Sequence, residues 1–375
     1  RGIYGRKFPP QLIPYHDLTH INYAFGNINK ETGEVFLSDT WADVEIHYDG
    51  DDWNEPGNNM YGCLKAIYLI KKLNRNIKVL LSIGGYTWSG NFININDPDW
   101  RNIFVDSAVG LVEDVGLDGL IDYEYPKTET EHEGYVSLLR ELRAGLDALA
   151  ESKGRLRGMY QLTISAPCGW DNMHNLRVRE MNKYLDFLNL MAYDFAGPWD
   201  PITGHQAALF PSHQNSPSVA TAVNFYLQAG VPPHKLVIGI PLYGRAFEGT
   251  EGIGKPYNGS GEGSWEAGMW DYKALPLPGS QVIEDRSLGA AYSYDPHKRH
   301  LVTYDTPAVA WQKARYIAEN GLGGAMFWEL DSDKPASSGE SLVKVVRETM
   351  GTLEWRENEL EYPQSKYDNL RNGMQ

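Results

Sequence analysis

The stretch Gly116-Leu-Asp-Gly-Leu-Ile-Asp-Tyr-Glu-Tyr-Pro126 sets two carboxylates, Asp122 and Glu124, into an otherwise apolar, strand-like run. Residues two apart on a strand point to one face, so Asp118, Leu120, Asp122 and Glu124 share a side and Gly119, Ile121 and Tyr123 take the other. Two acids then stand side by side. A like charge nearby and partial burial raise a carboxyl pKa toward the range a general acid needs. The plainer alternative is an exposed edge strand with solvated acids, against which Leu, Ile and two Tyr argue for burial.

Working outward, the flanking segments read as helices: Asp99 to Val115 before the run, and an amphipathic Glu131 to Glu151 after it, with Leu138, Leu139, Leu142, Leu146 and Leu149 on one side. Upstream, Thr19 to Phe25 is a β-branched and aromatic strand closed by Gly26-Asn27, residues 28–58 read as a long polar loop carrying Trp41 and Trp53, and Asn59 to Leu73 has helical spacing. Each indole in that loop is either an anchor for a small cluster or a ligand platform. Ile77 to Ile83 is a nearly continuous apolar run, as a strand covered on both faces requires. Downstream, Gln161–Ala166, Phe187–Asp194, Leu236–Pro241 and Gly324–Leu330 are further strands, with helical patterns at Ala220–Ala229 and Ala308–Glu319 and a last helix and polar tail after Ser341.

Seven strands alternating with helices imply an α/β protein with a parallel sheet, most simply a (β/α)8 TIM barrel. Between Ala246 and Thr306 the rhythm breaks in a Gly-, Ser-, Tyr- and Trp-rich segment too long for a structureless loop. The expected organisation is therefore a barrel of residues 1–245 and 307–375 with a small inserted α+β subdomain, residues 246–306.

Net charge of -15 disfavours nucleic acid and anionic membrane, both of which reward clustered Lys and Arg. No window approaches the roughly eighteen apolar residues of a membrane helix. The 11 Trp and 23 Tyr suit stacking on the apolar faces of sugars, although core packing absorbs most aromatics in most proteins. Cys63 and Cys168 carry no motif and read as two buried thiols; no metal site, phosphate loop or nucleotide fingerprint appears. Asn258-Gly259-Ser260 is a glycosylation sequon.

The acid-bearing run resembles the D-G-x-D-x-D-x-E-Y-P signature of glycoside hydrolase family 18, the chitinases, with Glu124 on the family's catalytic acid and Asp122 on the neighbouring Asp. Leu120 falls where the family has its middle Asp, and Asp118-Gly119 sit one place nearer the acids. Ser82-Ile-Gly-Gly85, Met191-Ala-Tyr-Asp194, Tyr243-Gly-Arg245 and Met326-Phe-Trp328 resemble the family's third, sixth, seventh and eighth strand motifs. The resemblance implies that the first barrel strand precedes Arg1 and that the insertion lies between the seventh and eighth strands.

It also implies the chemistry. Glu124 would be general acid and then base in a substrate-assisted mechanism without an enzyme nucleophile, Asp122 would orient the reacting acetamido group, and Tyr193 would hold its oxygen. Trp328 would floor the reacting sugar with Met191 and Phe25 beside it; Asp194, Arg245 and Tyr243 would bond the chain; Trp88, Trp199 and Glu266 would line flanking subsites. Plain barrel core is the alternative for Met191, Phe25 and Trp328, and neutralisation of a buried acid the alternative for Arg245. The implied protein is a secreted, monomeric, cofactor-free endochitinase acting on chitin and chitooligosaccharides, most similar in segment pattern to fungal ones. Without the middle Asp, turnover would be much reduced but not abolished. A chitin-binding lectin on the same scaffold is the alternative, usually marked by loss of the catalytic Glu.

Overall fold

In the computed structural model, residues 2–122, 126–213 and 216–374 are described, the side chains of Asp122 and Asp171 excepted. Glu124 therefore lies outside the described residues. The strands, in chain order, are β1 (His20–Ile28), β2 (Val35–Leu37), β3 (Lys78–Ile83), β4 (Gly119–Asp122), β5 (Gln161–Pro167), β6 (Phe187–Met191), β7 (Leu236–Pro241), β8 (Tyr243–Phe247), β9 (Met269–Asp271), β10 (Gln281–Asp285), β11 (Ala290–Asp295), β12 (His300–Thr303) and β13 (Gly324–Trp328). All seven strands read from the sequence are present. The fold class is a (β/α)8 barrel with a small antiparallel-sheet insertion.

The chain divides into two compact units, residues 1–165 with 175–186 and 353–375, and residues 166–174 with 187–352. In the first, β1, β3, β4 and β5 lie side by side and parallel, with β2 antiparallel on the outer edge of β1. The polar loop expected over residues 28–58 is thus interrupted by β2 and by a helical turn at Trp41–Glu45. Val35 supplies a buried strand residue that a window dominated by Asn, Lys and Glu concealed. Trp53 stands 71% exposed and stacks on His47 at 3.7 Å, and His47 stacks in turn on Tyr61, a small surface cluster.

Local chemistry brackets β4. The helix Pro98–Val115 is capped at its start by the Asp97 side chain and ended by Gly116 at φ +80, a left-handed conformation that glycine adopts without a Cβ clash. After the run, Thr128 and Glu131 form a reciprocal capping box for the helix Glu129–Ser152.

The sheet curls, and one hydrogen bond demonstrates it. His20 Nε2 on β1 lies 2.8 Å from Gln161 Oε1 on β5. Strands three places apart in a flat sheet stand roughly 14 Å apart, so both side chains must reach across a concave face. Gly119 pairs in register with Gln161 and therefore belongs to that concave row. Asp118, one residue earlier, faces the helices: its carboxylate accepts from Val79 N at 2.8 Å and Glu359 N at 2.8 Å and meets Lys71 Nζ at 2.7 Å. Asp118 is thus a structural anchor turned away from the concave face.

The second unit carries parallel β6, β7 and β13, and a five-stranded antiparallel sheet in the order β10-β11-β12-β8-β9. That sheet opens at Tyr243, ahead of the break in rhythm at Ala246.

Two measurements follow from the first unit. Removing one partner of a buried ion pair strands the other, so Asp118→Ala should cost about 3–5 kcal/mol in urea unfolding; a loss within ordinary surface scatter would show that the pair does not anchor β4. Burial and the Lys78 ammonium push His20 down from 6.5 to about 4. Between those values the unfolded chain takes up a proton that the folded chain refuses. The stability contribution is therefore full above pH 6.5 and declines as pH falls toward 4, by at most about 3 kcal/mol, which partial exposure reduces. His20→Gln should flatten the pH dependence of unfolding free energy in that window; an unchanged slope would assign it to other groups.

Candidate functional site

The second unit gathers four of the residues singled out in the sequence, Tyr243, Arg245, Trp199 and Tyr193, around the carboxylate of a fifth, Asp194. Asp194 follows β6 with φ +59, an uncommon left-handed backbone for a non-glycine residue. Its side chain accepts from Tyr243 Oη at 2.7 Å, Arg245 Nε at 2.9 Å and Arg245 Nη2 at 2.8 Å. The alternation of β8 explains why Tyr243 and Arg245 arrive together: they sit two apart and share a face. A planar guanidinium presenting two parallel donors fixes the carboxylate's orientation as well as its charge.

The electrostatics are those of a half-buried ion pair. Burial on its own would lower the Arg245 pKa, but the hydrogen bonds and charge of Asp194 outweigh it and the guanidinium is held above its ordinary value. Burial, with the Asp194 charge beside it, pushes the Tyr243 hydroxyl well above the ordinary tyrosine range, so it remains a donor. Asp194 is a fixed anionic acceptor with part of its side chain open to solvent.

Aromatic rings surround that centre. The Arg245 guanidinium carbon lies 5.1 Å from the Trp199 ring centroid, and Trp199 itself is 57% exposed. An indole held flat by a cation and open on its other side is a stacking surface. Tyr193 packs edge-on against Tyr243 at 6.1 Å. Met191 ends β6 and Trp328 ends β13, both half-buried, so neither is plain core. Glu266 is exposed on the turn that bridges to Met269, the β9 partner of Arg245.

The first unit holds the remaining candidates, described by themselves. Phe25 on β1 is half-buried, and its ring occupies the space a Cβ on Gly85 would need, at 2.6 Å. Trp88 is half-buried at the end of the short helix Gly85–Trp88. Asp122 pairs through its backbone with Ile164 on β5.

Four residues missed in the sequence support this arrangement. A Cβ on Gly239 of β7 would meet Tyr193 Cε1 at 2.8 Å, so the glycine makes room for that ring. Its signal was present, since an isolated Gly in an apolar strand marks close approach. Gly197 does the same for Trp199, whose ring a Cβ would meet at 2.4 Å. Gln206 donates to Tyr243 O at 2.7 Å and ties β8 to the loop after β6. Tyr257 donates to Asp200 O at 2.8 Å, pinning the turn that carries Trp199. No sequence signal marked Gln206 or Tyr257, because their role is a backbone contact made far along the chain.

Known proteins resemble the chain along its whole length. The chain is 47% identical to "Chitinase 1" of Aphanocladium album, covering 100% of this chain and 89% of that protein. It is 44% identical to "Endochitinase 1" of Metarhizium robertsii, with 100% and 88% covered. Among solved structures, the catalytic domain of psychrophilic chitinase B from Arthrobacter TAD20 superposes with a TM-score of 0.85 at 28% identity, covering 96% of this chain and 94% of that one. A family 18 chitinase from Cycas revoluta in complex with (GlcNAc)3 gives 0.78 at 30% identity, covering 93% and 97%. Residues 2–333 match the family model described as glycosyl hydrolases family 18, and the chain belongs to that family.

Proposed function

We propose that this protein is an endo-acting chitinase that hydrolyses β-1,4 linkages between N-acetylglucosamine units with retention of configuration. The observation that carries the reading is the Asp194 carboxylate, held by three donors beside the open face of Trp199, in a chain that keeps Glu124 in its family's acid-bearing motif. Residues 1–245 and 307–375 would form the catalytic barrel and residues 246–306 the insertion beside it. Export and monomeric action on chitin belong to the same reading, in line with relatives named as a chitinase and an endochitinase.

In this reading Glu124 protonates the glycosidic oxygen while the substrate's own acetamido oxygen attacks the anomeric carbon; Glu124 then takes the proton from the incoming water. Asp122 orients the acetamido N–H, and Tyr193 holds its oxygen in line. Trp328, Met191 and Phe25 form the apolar bed of the reacting sugar. Asp194, Arg245 and Tyr243 position the chain, and Trp88, Trp199 and Glu266 extend the contact to neighbouring sugars. Such positioning contributes several kcal/mol because it organises the reacting atoms before the barrier. Retention of Glu124 weighs against the lectin alternative.

Hydrolysis of the chitin hexamer, followed by product size and anomer, tests the whole reading. Glu124→Gln should lower kcat by about 10²–10⁴-fold, as loss of a general acid–base does. Binding without cleavage by the unmodified chain would make it a lectin. In the same assay, a chain with Asp inserted between Leu120 and Ile121 should turn over faster than the unmodified one, and one with Ala inserted there separates strand parity from charge.

Tyr257→Phe keeps the ring but removes the hydroxyl that pins the Trp199 turn. A positioning role predicts KM for the hexamer raised several-fold with kcat nearly unchanged; equal falls in kcat and kcat/KM would instead place Tyr257 in the transition state.

A further inference from the structure

The antiparallel insertion carries one sequence feature that hydrolysis does not use, the sequon Asn258-Gly259-Ser260. Its structural setting is specific. Asn258 is exposed, and among the described residues no hydrogen bond engages its side-chain amide. Its backbone is firmly placed: Asn258 N donates to Glu248 O at 2.7 Å, and Glu248 N donates to Gly259 O at 2.9 Å. Gly259 has φ +90 with open space where a Cβ would stand, which turns the chain sharply outward. On the inner side, Tyr257 packs edge-on against Phe247 at 4.8 Å and bonds Asp200 O at 2.8 Å. The corner therefore points its amide outward while its neighbour faces in.

We infer that Asn258 is an N-glycosylation site. The inference rests on the reading that the chain is exported, because the donor, an oligosaccharide on a polyprenyl diphosphate, belongs to the secretory compartment. In the transfer, Asn258 Nδ2 forms a bond to C1 of the donor's reducing-end sugar. The C1–O bond breaks, the polyprenyl diphosphate leaves with the electron pair, and the amide gives up one proton. The motif meets the recognition requirement through the Ser260 hydroxyl two residues on. A glycan is bulky and solubilising and needs a surface loop, which this corner provides. Rooted one residue from Tyr257, it would stand beside the pinned Trp199 turn without using any group that holds it.

The test is export of the full chain, behind a secretion leader, from a fungal host that performs N-glycosylation. The secreted protein is treated with an amidase that releases N-glycans, and the peptide containing Asn258 is read by mass spectrometry, with hexamer hydrolysis measured on the same material. The expected result is a one-glycan mass decrease on release, absent in both Asn258→Gln and Ser260→Ala, with hydrolysis unchanged in either variant. Ser260→Ala keeps Asn258 in place, so a folding defect from the asparagine change alone cannot imitate the result. Secreted protein that carries no sugar at Asn258, or sugar that survives both substitutions, overturns the inference. Failure of hydrolysis in fully glycosylated protein would instead count against the chitinase reading and leave the site intact.

Discussion

One buried carboxylate decides how the acid-bearing strand enters the first unit. Asp118 is almost fully buried, and Lys71, Val79 N and Glu359 N satisfy it from a helix, a neighbouring strand and the C-terminal segment. A charge in that setting is tolerated only while every partner stays in place. Lys71 is pressed below its ordinary pKa by burial, with Asp118 acting against that pressure, and it also donates to Gly116 O at 2.9 Å and Tyr362 Oη at 2.7 Å. Tyr362 in turn donates to Leu117 O at 2.8 Å. The helix end at Gly116, the start of β4 and the C-terminal segment are thus fixed as one polar assembly. Everything further along β4 inherits its pleat from that starting point.

The second unit applies the same logic closer to solvent. Asp194 is left partly open, and its three donors consume the inward sides of both oxygens. What remains is an acceptor whose carboxylate is partly open to solvent. Arg245 serves twice, because its edge satisfies the carboxylate while its face supports Trp199. The glycines at 197 and 239 remove the atoms that would keep Trp199 and Tyr193 from these places. The turn bearing Trp199 is closed by Gly197 N to Asp200 Oδ2 at 2.9 Å and pinned by Tyr257, so the indole stands on a rigid base.

The sequence announced these features unevenly, and the reasons are physical. Apolar runs such as Ile77–Ile83 declared their strands because burial on both faces leaves few polar positions, here only Lys78 and Ser82, to confuse the pattern. Tyr243 and Arg245 were legible only through their resemblance to a family strand motif, because the strand read there ended at Pro241; the period of β8 then explains why they share a face. β2 was not, since Val35–Leu37 is too short to impose a period on its polar surroundings. Nor was the anchoring of Asp118, whose partners lie as far along the chain as Glu359. Gln206 and Tyr257 bond backbone carbonyls, and a carbonyl has no sequence signature.

Parity is the remaining constraint on the acid pair. In the family signature an odd number of positions separates the first Asp from each of the last two acids, which sets them on opposite faces of a regular strand. Here Asp118 precedes Asp122 by four positions and Glu124 by six, both even. Asp118 is committed to the helix side by Lys71, and Gly119 to the concave side by its register with Gln161. Leu120, fully buried and paired with Leu81 and Leu162, continues that alternation without a break. The backbone keeps that register through Ile121 and Asp122, which pair with Thr163 and Ile164. A residue restored between Leu120 and Ile121, where the family signature has its middle Asp, makes both counts odd again.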